Sequence, residues 1–212
     1  MKKKLLIIIV LITALTSCTK KPGSLNGNVF WEYNDYVGNK PDAGSEVKLY
    51  SITNKESKFE TTTDVSGNFK IEEIPPGKYF LIVQSKNTTD SPVNHLHNLF
   101  FNSENIKNIF GLDLNKFKKE FEEIKRIENK SDEVVIKFDF DKPNSTNESD
   151  DFEKAQKEIN TKSVDIISRF PKEFMSKLGI YTGHDRSFDF SVVEIMEGKS
   201  STQNVDFGTT YN

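Results

Sequence analysis

A single cysteine, Cys18, stands among the 212 residues. With no second thiol the chain forms no internal disulfide, and no thiol chemistry is available beyond that point. Long apolar runs are equally scarce. Residues 5–12 (LLIIIVLI) make one strong run, too short for the ~20 apolar residues that span a bilayer as a helix. Charge of one sign is missing too. Lys and Arg total 29 against 32 Asp and Glu, formal charge −3, and the two signs are interspersed as on a solvated surface. Phosphate contacts need clustered Lys and Arg, so a nucleic-acid-binding surface is excluded. Motifs of covalent chemistry are also lacking. There is no Gly-x-Ser-x-Gly, no Cys-His pair after Cys18 and no glycine-rich phosphate loop. No motif pairs two carboxylates for glycoside hydrolysis. The expectation is a non-enzymatic chain without a cofactor.

The first eighteen residues carry the most specific signal. Lys2, Lys3 and Lys4 precede the apolar run, and Leu15-Thr16-Ser17-Cys18 closes it. This resembles the bacterial lipobox, in which the cysteine is acylated and becomes the new N-terminus. The resemblance implies a signal peptide over 1–17, lipidation at Cys18, a tether over 18–23 and a membrane partner held through the acyl chains. Cleavage would remove three lysines and no acid, taking the formal charge from −3 to −6. Thr19, Lys20 and Lys21, with no acid among them, follow the cysteine, which resembles sorting to an outer membrane. Periplasmic and surface-exposed orientations both stay open.

Residues 61–84 (TTTDVSGNFKIEEIPPGKYFLIVQ) organise the rest of the chain. Asp64 and Gly67 take the first and fourth places of a type I turn. Phe69 and Ile71 alternate with polar neighbours as a half-buried strand does. Pro75-Pro76-Gly77 forces a corner. Residues 79–83 are apolar on both faces, which puts them in a central strand. Upstream, Leu25, Gly27, Val29, Trp31 and Tyr33 share one face of a strand, 34–44 reads as a loop, and Val47 and Leu49 point inward from the next strand.

Gly27-x-Val29, Val47-x-Leu49, Asp64-x-x-Gly67-x-Phe69 and Pro75-Pro76-Gly77-x-Tyr79-x-Leu81-x-Val83 together resemble the carboxypeptidase regulatory-like family. That resemblance implies a mainly β fold: a transthyretin-like (Ig-like) β-sandwich of about seven strands that serves as a non-catalytic module. Nothing in the chain resembles the carboxypeptidase zinc ligands. The chain ends Gly208-Thr209-Thr210-Tyr211-Asn212, not in the Tyr-Arg-Gly-Ser of transthyretin-like hydrolases.

Two stretches could close the sandwich, 96–114 and 187–207. The second alternates better, with Phe188, Phe190 and Val192 before a turn at Glu197-Gly198-Lys199 and Val205 and Phe207 after it. The expected sandwich is therefore 24–89 with 186–212, and 90–185 is a mixed, largely helical insertion. The alternative is a separate second domain over 115–212. Within the insertion, Leu114, Phe117, Phe121 and Ile124 fall at helical spacing, and Phe152, Ala155, Ile159, Ile166 and Phe170 share a second helix face. Between them 133–140 alternates as a strand, and 141–151 reads as a loop. Pro171 stops the second helix and suits the start of a short one that Gly179 ends.

Candidate sites are few. His95 and His97 share a face if their segment is extended, and His184 is the third histidine; together they could hold zinc in an open site. Asp139, Asp141, Glu148, Asp150 and Asp151 offer oxygens without the spacing of a calcium loop. Surface histidines and a solvated acidic stretch are the favoured readings, so no metal is expected. Trp31, Tyr33 and Tyr36 cluster near the first loop. Trp31 faces inward, which leaves Tyr36 as the binding candidate. Beyond the membrane, the partners these features suggest are another envelope protein or a glycan.

Overall fold

The computed structural model describes residues 20–34, 36–54, 57–136, 146–178, 180 and 185–209. Among the described residues nine strands form two sheets. Sheet I is built on β1 (Gly23–Asn34), which is paired along both edges. On one side lie β5 (Asn68–Ile74) and β2 (Gly38–Pro41), both antiparallel to it. On the other lie β8 (Ser200–Thr202) and β9 (Val205–Thr209), both parallel to it. Sheet II is antiparallel in the order β4-β3-β6-β7. Its strands are β3 (Glu46–Ser51), β4 (Lys58–Thr62), β6 (Gly77–Asp90) and β7 (Asp185–Ile195).

The expected turns form as the residues dictate. Gly67 N donates to Asp64 O at 3.0 Å, and the Asp64 carboxylate accepts from Ser66 N and Asn68 N. Gly67 adopts φ +77°, and a Cβ there would lie 2.4 Å from Val29 O, so only glycine fits. After Pro75-Pro76 the chain re-enters as β6, and Tyr79 Oη donates to Pro75 O at 2.7 Å.

The doubly apolar stretch 79–83 explains the layering. Tyr79, Leu81 and Val83 join Leu25, Val29, Val47, Leu49, Phe69, Ile71 and Val193 between the sheets. Phe80 and Ile82 point the other way, joining Phe188, Phe190 and helical residues in a second core. A strand buried on both faces must be apolar at every position, and β6 supplies the middle plane of three layers.

The outer layer consists of α1 (Pro92–Phe101), α2 (Ser103–Phe110), a 3-10 turn (Leu114–Phe117), α3 (Lys118–Ile136), α4 (Thr146–Ser168) and α5 (Lys172–Leu178). Helix α3 runs along α4, and α1 bridges α4 and β7. Phe117, Phe121 and Ile124 are buried at i, i+4 and i+7, as one helical stripe requires. Side chains tie the layer to sheet II: Asn98 Nδ2 donates to Phe188 O at 2.6 Å and Gln84 Nε2 to Leu178 O at 2.7 Å.

Three local expectations change. Glu133, Val134, Val135 and Ile136 end helix α3 rather than forming a strand, and 137–140 lie outside the described residues. Alternation over a few residues cannot be told from a helical stripe, and here α3 was already propagating. Residues 146–151 open α4 rather than a loop. The 34–44 segment folds back as β2. The turn expected at 197–199 forms, and it carries the chain from sheet II to sheet I, where β8 and β9 pair with β1. Gly179 lies outside the described residues.

Candidate functional site

The β1–β2 hairpin projects the predicted aromatics. Asn34 Oδ1 accepts from Tyr36 N at 3.0 Å and Val37 N at 2.8 Å, closing a side-chain-capped turn. Tyr36 is 100% exposed and Val37 56%. Behind the tip, Tyr33 meets Trp31 edge to face at 5.7 Å, and Lys40 Nζ sits 3.5 Å from the Tyr33 ring centre. Trp31 itself is buried, as its position on the inward face requires. The tip therefore presents Tyr36 on a braced support.

The hairpin also lies far from the N-terminal entry. Strand β1 begins at Gly23, five residues after Cys18, and ends at Asn34. At ~3.3 Å per residue the two ends are about 36 Å apart.

The helical layer holds a feature that sequence reasoning missed. A groove of about 380 Å³ runs between α1 and α3, with His97, Phe121, Lys118 and Lys125 in its walls. Its floor is the Phe100–Phe121 pair, stacked at 4.0 Å with planes 8° apart. At its rim Phe101 is 91% exposed. Helical spacing announces a buried stripe, but Phe100 and Phe101 are adjacent and so point about 100° apart; one is covered and the other is left in solvent.

His95 and His97 do not share a face as the extended reading required. His95 and His97 lie in α1, where residues two apart point to different sides. His95 is 1% exposed and stacks on Phe188 at 4.7 Å. Its Nε2 has no partner among the described residues. Burial pushes its pKa down, with the Asp90 and Asp185 charges opposing the shift. His97 Nε2 instead pairs with Glu128 at 2.8 Å. His184 lies outside the described residues, as do Cys18, Asp139, Asp141 and the side chains of Glu148 and Asp151; Asp150 is exposed on α4. Among the described residues no three His, Cys, Asp or Glu side chains gather as a metal site, and no helix is long and apolar enough to cross a membrane.

The main buried polar cluster lies where β6 bulges. Gln84 pairs with Phe188 and Thr89 with Arg186, so four residues of β6 oppose Ser187 alone. The bulge wraps the fully buried Asp42, whose carboxylate accepts from Ser85 Oγ and from Asn87 Nδ2. Ser85 Oγ in turn accepts from Thr88 N at 2.8 Å. All four residues are used in holding the bulge, which makes this cluster a structural clamp.

No family model matches the sequence, and none of the curated proteins matches it. Among solved structures the chain is similar to a Pseudomonas aeruginosa protein provisionally described as carbohydrate binding. The TM-score is 0.37 and the identity 9%, over 91% of this chain and 93% of that one. It is also similar to the minor pilin of the Gram-positive pathogen Streptococcus agalactiae, with TM-score 0.38 and 11% identity over 92% of this chain and 47% of that one. Both neighbours are β-rich proteins.

Proposed function

We propose that this is a non-enzymatic lipoprotein of the bacterial envelope that engages another envelope protein through the groove between α1 and α3. The reading joins a lipid anchor at Cys18, which the mass of the mature protein would test, to a transthyretin-like sandwich over 24–89 and 186–212. Residues 90–185 form the inserted helical layer that bears the contact surface, and the outer membrane is the proposed location. The observation that carries it is Phe101, 91% exposed beside a groove floored by stacked Phe100 and Phe121. An exposed aromatic anchor next to a recess with an aromatic floor and a polar, charged rim is the composition of an interface hot spot. A second reading, a carbohydrate-binding accessory protein, draws on Tyr36 at the hairpin tip, because an exposed ring stacks on sugar faces as readily as on a protein.

The test places a photo-crosslinking amino acid in place of Phe101 or of Tyr36 in the native host. One discrete protein adduct at position 101, weakened by Lys118→Glu with Lys125→Glu, supports the groove reading. Adducts at neither position overturn it. An adduct at position 36 alone moves the contact to the hairpin, and sugar binding lost in Tyr36→Ala establishes the second reading instead.

A further inference from the structure

The outer face of sheet I bears a row of amides that neither reading uses. Asn is depleted in strands, yet Asn26 and Asn28 of β1 stand directly across from Lys70 and Asn68 of β5. On the opposite edge Thr202 is level with Asn26, and Asn204 follows in the link to β9. Gly27 makes this possible. A Cβ there would lie 1.8 Å from Gln203 O and 2.7 Å from the Phe69 ring, so only glycine lets residues 203–204 drop against β1. The result is a groove of about 480 Å³.

The amides are held in place by one another. Asn204 Oδ1 accepts from Asn28 N at 3.0 Å. Asn28 Nδ2 donates to Ser66 O and to Asn68 Oδ1, both at 3.0 Å. Ser200 Oγ and Thr202 Oγ1 donate to Asn26 Oδ1 at 3.2 and 3.1 Å. These bonds orient the side chains and leave the Nδ2 groups of Asn26 and Asn204 without a protein partner among the described residues. Donors and acceptors thus alternate across a fixed surface.

We infer that this groove binds a neutral, hydroxyl-rich chain, the chemistry of a glycan. Each sugar hydroxyl both gives and takes a hydrogen bond, and a pre-ordered array of amides and hydroxyls answers that pattern with little entropy left to lose. The lining holds one charge of each sign, Asp64 and Lys70, and Lys70 is already paired with Glu72. An anionic ligand therefore finds no unpaired cation. A peptide adding as a strand needs a free sheet edge, and β1 is paired on both edges here.

The inference is independent of the groove between α1 and α3 and of Tyr36, and the test keeps them apart. Chitohexaose and maltoheptaose are titrated calorimetrically into the full-length protein in a sugar-free detergent. Saturable binding of either is expected. Asn26→Asp and Asn204→Asp retain the oxygen that accepts the internal hydrogen bonds and replace the free donor with a charged, acceptor-only oxygen. Each should weaken binding about three- to tenfold with an unchanged melting temperature, and Tyr36→Ala should leave it unaltered. No saturable heat with either sugar, binding indifferent to both Asp substitutions, or binding abolished by Tyr36→Ala overturns the inference.

Discussion

The His95 imidazole lies face to face with the Phe188 ring, centroids 4.7 Å apart and planes 14° from parallel. This contact joins α1 to β7, and its buried Nε2 has no partner among the described residues. Protonation would place a charge in that contact. Burial lowers the pKa from its ordinary 6.5, so the unfolded chain takes up the proton first. The stabilisation is complete above about pH 6.5 and is lost as pH falls toward the lowered folded value. Urea midpoints should decline between pH 7 and 5, and His95→Phe should flatten that slope while keeping the stack. An unaltered slope in His95→Phe would refute the assignment.

Asp42 is fully buried and holds the β6 bulge through Ser85 and Asn87. Asp42→Ala leaves the fully buried Ser85 hydroxyl without its acceptor, while the exposed Asn87 amide turns to water. The expected loss is about 2 kcal/mol, since an abandoned buried donor costs about 1–3 kcal/mol. Chemical denaturation measures it. A loss under about 1 kcal/mol would mean that water replaces the carboxylate.

Phe80 and Leu81 are neighbours in sequence but serve different cores. Phe80→Ala should cost about 3–5 kcal/mol and Leu81→Ala about 2–5 kcal/mol. Hydrogen exchange separates them. Phe80→Ala should loosen α1 and α4 before the strands of sheet I, whereas Leu81→Ala should loosen β1 and β5. Identical exchange patterns in the two variants would contradict the three-layer description.

Asp189 stands opposite Val83 on β7, and burial raises its pKa above the ordinary carboxylate value, against the Phe190 N–H that favours the anion. A raised folded pKa means stability is fully present below about pH 3.8 and is lost as pH rises through the folded value. Asp189→Asn should therefore be more stable than the parent at pH 7, with the gain vanishing near pH 3. Equal urea midpoints at pH 7 would show that the carboxylate is solvated.

Local chemistry made much of this legible from residues alone. The Asp64–Gly67 turn, the Pro75-Pro76 corner, the central placement of 79–83 and the stripe of Leu114, Phe117, Phe121 and Ile124 each depend on a few neighbouring side chains, and each formed; of the second stripe Ile159 and Ile166 are buried on α4, Phe170 is buried just past its end, and Phe152 is exposed. Tyr36 was legible as exposed because a turn between strands has no face to bury. Where the pattern was short it misled. The alternation at 133–136 belonged to a helix whose propagation outweighed it, and the two histidines of α1 separated once their segment coiled.

What tertiary structure alone decided was adjacency between distant segments. Whether β8 would pair with β7 or cross to β1 depends on which sheet has an open edge, and no local residue encodes that choice. The same holds for the Phe101 groove and the amide row, whose members come from segments up to 178 positions apart in the second case, from Asn26 to Asn204. Periodicity specifies which face of an element is apolar. Only packing of the assembled layers determines which of those faces is covered, because burial is a property of neighbours that the chain meets after it folds.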